Sequence, residues 1–212
     1  LGTSYDEWCL AQIAKQLGYE KDYKYFLQGS KNYRNIFNPE TKFFHPKNAK
    51  GKFIEPFDYA TAGGLGAREA YGENNGWIYR WDVPHNIADL IELMGGKEAF
   101  RNNLETMYNT PLGEAKYVFY AQLPDHTGNV GQFSMANEPS MHIPYLYNYI
   151  GEPWRTQKRV RTLLDEWFRN DLMGLPGDED GGGMSAFVVF SMLGFYPITP
   201  GLPIYVIGTP MS

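Results

Sequence analysis

The chain has 212 residues, 43% of them hydrophobic and 20% charged, a globular balance sized for one domain. A net charge of −5 without a dense Lys/Arg run excludes nucleic acid and anionic membranes as partners. One cysteine, Cys9, excludes an internal disulfide and a Cys-based zinc site, and no apolar run is long enough for membrane insertion. The chain opens at Leu1 rather than methionine, so the absence of a leader peptide carries no meaning.

The spacing of Leu10, Ile13, Ala14 and Leu17 predicts a helix that stops at Gly18, with Cys9 as a small core residue in it. A second helical pattern runs from about Lys21 to Phe37 through Tyr23, Phe26, Leu27, Ser30 and Tyr33. Ile87, Leu90, Ile91 and Met94 form a third stripe, and Phe100, Leu104, Met107 and Tyr108 a fourth. After Pro153 the pattern returns at Val160, Leu163, Leu164, Trp167 and Phe168. There the basic residues Arg155, Lys158, Arg159 and Arg161 read as a solvated face. Ala186, Val189, Phe190 and Leu193 close the series before Gly194. Only residues 203–208 read as a strand. Helix pairs alternating with long loops (38–66, 71–82, 121–142, 171–183) suggest a mainly α helical toroid whose loops build a site.

Three of those segments hold polar residues that a plain loop does not need. In YGENNGWIYRW (71–81) and DVPHN (82–86), Glu73 stands among Trp77, Tyr79 and Trp81, a setting that desolvates a carboxyl group and suits a general acid. The alternative is a turn-capping carboxylate or one paired with Arg68 or Arg80. In GDEDGGGMSAF (177–187), three acids precede three glycines and a helix whose dipole favours an ionised Asp180, as a general base requires. An ordinary acidic turn is the alternative. An EF-hand is excluded, because the twelfth position from Asp178 is Val189. In GQFSMANEPSMHIPYLYNY (131–149), Asn137 and Glu138 are hard oxygen donors of the kind calcium prefers, while His142 is either a sugar contact or a satisfied structural histidine. The aromatic content of 16% serves sugar faces and core alike.

Taken in order, YGENNGWIYRWDVPHN, ANEPSMHIPYLYNY and LPGDEDGGGMSAFVVFSMLGFYPITPG resemble glycoside hydrolase family 92, the calcium-dependent exo-α-mannosidases. The stretches SYDEWCLAQIAKQLG and NYRNIFNPETKFFHPKN are similar to that family as well. The resemblance implies Glu73 as catalytic acid and Asp178 and Asp180 as the base function of an inverting reaction. It implies calcium held by Asn137 and Glu138, sugar contacts at Trp77, His85 and His142, and α-mannoside oligosaccharides or N-glycans as substrates. Glu179 stays outside the site. Ile78, Met141 and Phe187 stand where the family commonly carries Gln, His and Trp, differences that bear on substrate preference. Glu73, where relatives acting on mannosyl phosphates carry Gln, favours an ordinary mannoside linkage.

The resemblance further implies that residues 1–212 are part of an (α/α)6 catalytic domain, without its N-terminal β-sandwich and early helices. A partial ring exposes helix faces, so self-association is expected, as is a periplasmic or extracellular location. The competing reading is a catalytically inactive fragment or a calcium-dependent mannose-binding module.

Overall fold

A computed structural model describes residues 1–60 and 70–211. Eight α-helices carry these residues: α1 (Gly2–Gln16), α2 (Glu20–Gly29), α3 (Gly76–Tyr79), α4 (Ile87–Leu93), α5 (Lys97–Asn109), α6 (Lys116–Gln122), α7 (Pro153–Trp167) and α8 (Gly183–Leu193). Short 3-10 helices at Asn32–Ile36, Glu138–Ser140, Ile143–Ile150 and Asp180–Gly182 complete a mainly α architecture.

Among the described residues the sheet content is three antiparallel hairpins of two-residue strands: β1 (Phe37–Asn38) with β2 (Phe43–Phe44), β3 (Asn129–Val130) with β4 (Phe133–Ser134), and β5 (Phe195–Tyr196) with β6 (Val206–Ile207). The expected terminal strand is therefore real but shortened to Val206–Ile207. The expectation that it stands alone is corrected, since two further hairpins lie inside the segments read as loops. Two-residue strands are too short to show a period-2 pattern.

One core runs through most of the chain. Trp81, Leu90, Phe100, Leu104, Met107, Leu146 and Leu163 are fully buried in it, and the Trp81 indole N–H donates to the Met107 sulfur at 3.2 Å. The stripes on α4, α5 and α7 face this core as their spacing predicts.

Other stripes are corrected. In α1 the buried face is Ser4, Trp8, Ala11 and Ala14, while Leu10, Ile13 and Leu17 are exposed. Cys9 is half-buried beside Tyr5 rather than in the core. The long second helix ends at Gly29. Beyond it Tyr33 and Phe37 are buried from a 3-10 helix and from β1. In α8 Met184, Phe187 and Ser191 point inward and Val189 and Leu193 outward.

The basic residues of α7 are not a plain solvated face. Arg155 bonds Glu105 at 3.1 Å and Glu152 at 2.5 Å, and the Arg159 guanidinium lies 3.8 Å above the Tyr108 ring. They bind α7 to α5.

Candidate active site

The acid-bearing loop is fixed from both ends. Asn75 caps α3 by accepting the Trp77 N–H at 3.1 Å, and its own amide donates to the Ala60 carbonyl at 2.9 Å. Asn74 and Asn75 are both fully buried, and the Asn75 side chain holds the loop while Glu73 points to solvent. Of the aromatic niche expected around Glu73, only Tyr79 stands close. Trp81 belongs to the core, and Trp77 packs edge-on against Phe43 at 5.0 Å.

The second segment follows the β3–β4 hairpin. Asn137 is buried and caps the 3-10 turn at Glu138–Ser140, its Oδ1 accepting the Glu138 N–H at 2.8 Å. That bond orients the amide so that Nδ2 donates to Glu73 Oε2 at 2.9 Å. Glu73 is thus paired with Asn137, not with Arg80, which donates instead to the Lys42 carbonyl and to Asn103. Arg68 lies outside the described residues.

The third segment closes the cavity. A Cβ on Gly177 would come within 2.7 Å of the Ala136 side chain, so only glycine lets this loop lie so close to the Asn137 turn. Asp180, Gly181 and Gly182 follow in left-handed conformations (φ 56, 63 and 111°), which swings Asp180 away from the start of α8. The expected helix-terminal role passes to Glu179, whose carboxylate accepts the Gly182 N–H at 2.6 Å and the Ser185 N–H at 3.1 Å. The Ser185 hydroxyl, together with these N–H groups, holds the Glu179 carboxyl below the usual range.

These segments enclose a cavity of about 350 Å³ lined by Glu73, Pro124, Asp125, Ala136, Asn137, Gly177, Asp178 and Asp180. Glu138 adjoins it beneath Gly183. Partial desolvation raises the Glu138 pKa, and the nearby carboxylates of Asp180 and Glu73 push it the same way. Five of the sequence-predicted residues, Glu73, Asn137, Glu138, Asp178 and Asp180, therefore come together.

Three do not. Trp77 lies against Phe43 and Arg80 and does not line the cavity. His85 sits among the Tyr5, Trp8 and Tyr33 rings with Nε2 on the Ser30 carbonyl at 2.9 Å. His142 is buried with Nε2 on the Trp81 carbonyl at 2.9 Å, which corresponds to the satisfied structural histidine. Burial lowers the pKa of both histidines. One residue at the site went unread. Asp125 lines the cavity from a Pro-Asp-His-Thr-Gly run that reads as an ordinary turn. Tyr79 takes the Glu73 N–H on its hydroxyl oxygen at 3.3 Å.

Among the described residues no group of three or more His, Cys, Asp or Glu side chains is gathered for a metal. The donors that fit a hard cation are the Glu138 carboxylate, crowded by Asp180, and the Asn137 carbonyl, which keeps one lone pair beyond its cap bond.

A family model described as the glycosyl hydrolase family 92 catalytic domain matches residues 1–212. The chain belongs to glycosyl hydrolase family 92. Within family 92 it is similar to an α-mannosidase of Bacteroides thetaiotaomicron solved in complex with mannoimidazole (TM-score 0.87, 36% identity, 99% of this chain and 27% of that one). It is also similar to an inverting mannosidase of the same organism (TM-score 0.79, 37% identity, 98% and 28%). A protein of Arthroderma benhamiae named an uncharacterized secreted glycosidase is 30% identical over 229 residues, 98% of this chain and 26% of that protein. The chain thus spans about a quarter of the length of the family 92 relatives it matches.

Proposed function

We propose that the protein carrying this chain is an exo-acting α-mannosidase that hydrolyses α-linked mannosides with inversion, assisted by calcium. The observation that carries the reading is the meeting of Glu73, Asp178 and Asp180, from two distant loops, at one cavity. Mannosidase relatives in the same family support the substrate class.

Glu73 is the general acid. Its Oε2 accepts the Asn137 amide, which leaves Oε1 to carry the proton given to the glycosidic oxygen as the bond from C1 breaks. On the opposite face Asp178 and Asp180 take a proton from water as its oxygen bonds C1, and the product sugar has inverted configuration. Inverting enzymes hold their two carboxyl groups roughly 6.5–9.5 Å apart to admit that water. Asn137 and Glu138 would hold calcium, which when bound supplies Lewis-acid polarisation of sugar hydroxyls. N-glycans and other α-mannoside oligosaccharides are the proposed substrates, and the periplasm or extracellular space the proposed location, in keeping with the secreted relative. Among the described residues no helix is long and apolar enough to cross a membrane.

Incubation of the full-length protein with a chelator should abolish mannose release from an α-mannoside, and added calcium should restore it. NMR of the first-formed sugar should show the β anomer. Activity untouched by chelation removes calcium from the reading, and α-mannose as first product removes inversion.

The coverage of a quarter of the relatives' length favours a second reading for residues 1–212 alone, that of part of an (α/α)6 domain that binds without turnover. Leu10, Ile13 and Leu17 on α1 and Val189, Met192 and Leu193 on α8 are exposed. The isolated chain should therefore self-associate in size-exclusion chromatography. Calorimetry with mannose and calcium beside a turnover assay separates binding from catalysis.

A further inference from the structure

The loop that carries Glu73 is clamped from behind by two stacked tyrosines. Tyr71 and Tyr79 lie parallel, ring centroids 5.8 Å apart at an interplanar angle of 4°, and each hydroxyl is fitted against a glycine of the loop. A Cβ on Gly72 would stand 2.9 Å from the Tyr79 oxygen, and one on Gly76 would stand 2.8 Å from the Tyr71 oxygen. The Tyr79 oxygen accepts the Glu73 backbone N–H at 3.3 Å. Tyr71 donates its hydroxyl hydrogen to the Phe44 carbonyl, which ties the pair to β2. Gly72 and Gly76 have no positive φ, so what these positions require is the space for a hydroxyl, not a special backbone.

We infer that Tyr79 is a positioning residue for the acid of the reaction proposed above: its hydroxyl oxygen, admitted by Gly72, fixes the backbone of Glu73 so that the carboxyl meets the leaving group. The inference rests on Glu73 being that acid. Asn137 holds the carboxyl tip and Tyr79 the main chain, so the side chain is defined at both ends. A tenth of a nanometre of misplacement in a proton donor is enough to cost two orders of magnitude in rate.

Tyr79→Phe keeps the stack on Tyr71 and removes only the oxygen. In the full-length protein this variant should hydrolyse a methyl α-mannoside or an α-mannobiose about 10- to 100-fold more slowly in kcat, with KM little changed. Its rate on 2,4-dinitrophenyl α-mannoside, whose leaving group needs no proton, should stay within about threefold of wild type. Gly72→Ala, which displaces the same oxygen, should show the same split. Glu73→Gln serves as the reference, with the same leaving-group dependence in a stronger form. If Glu73→Gln shows that dependence and Tyr79→Phe slows both substrates equally or neither, the positioning role is overturned. If Glu73→Gln itself shows no dependence, the assignment of the acid fails instead.

Discussion

Replacing Glu73 with Gln in the full-length protein should lower kcat on an unactivated α-mannoside by about 10²- to 10⁴-fold while leaving KM near its wild-type value. That corresponds to roughly 3–5 kcal/mol of transition-state stabilisation. The substitution suits the site. A Gln carbonyl at the Oε2 position still accepts the Asn137 amide, so the geometry on that side survives and only the transferable proton is lost. Steady-state kinetics on mannobiose, beside an unchanged thermal midpoint, is the measurement. Retention of more than a tenth of the wild-type kcat would remove Glu73 from the acid role.

Arg80→Ala should be among the most damaging substitutions away from the cavity. Arg80 is 1% exposed, and no carboxylate bonds its guanidinium among the described residues. The group donates to the Lys42 carbonyl at 3.0 Å and to Asn103 at 2.6 Å, and it lies 4.0 Å above the Phe43 ring. It thereby joins α3 to the β1–β2 hairpin and to α5. Desolvation pulls its pKa down, as burial of a cation without a carboxylate partner must. Truncation to Ala leaves two partly buried acceptors unsatisfied and a hole beside Phe43, together worth about 2–4 kcal/mol. Arg80→Met fills the hole without a charge and should recover part of that loss, whereas Arg80→Lys should recover little, because a compact ammonium lacks the planar face that lies above Phe43. Thermal unfolding of the three variants ranks them. Equal stability of Ala and wild type would show that the clamp carries no weight.

The carboxylates proposed to carry the chemistry were the legible part of this protein. Glu73, Asp178 and Asp180 stand out in the sequence because a surface loop has little structural use for them, and they share the cavity. The stripes of α4, α5 and α7 were legible because each faces a single core. What could not be read depends on long-range packing. His85 and His142 look like site histidines, yet each hydrogen-bonds a backbone carbonyl more than 50 positions away in the chain. The role of Glu179 as helix cap, rather than Asp180, hangs on three consecutive left-handed residues that glycine makes possible but does not announce. In α1 and α8, spacing marks two apolar faces and cannot say which one the core takes.

The buried turn beside the acid also sets how the protein ages. Asn75 followed by Gly76 is a pair in which an unfolded backbone cyclises readily, losing the side-chain nitrogen as ammonia. Here both ends of the Asn75 amide are occupied, by the Trp77 N–H and the Ala60 carbonyl, and the side chain is sealed from water. Folding therefore shields this bond chemically, and partial opening of the loop exposes it. Conversion to Asp would set a carboxylate against the Ala60 carbonyl and so prevent the loop from closing again. Under this arrangement loss of ammonia at Asn75 requires residues 71–79 to open first.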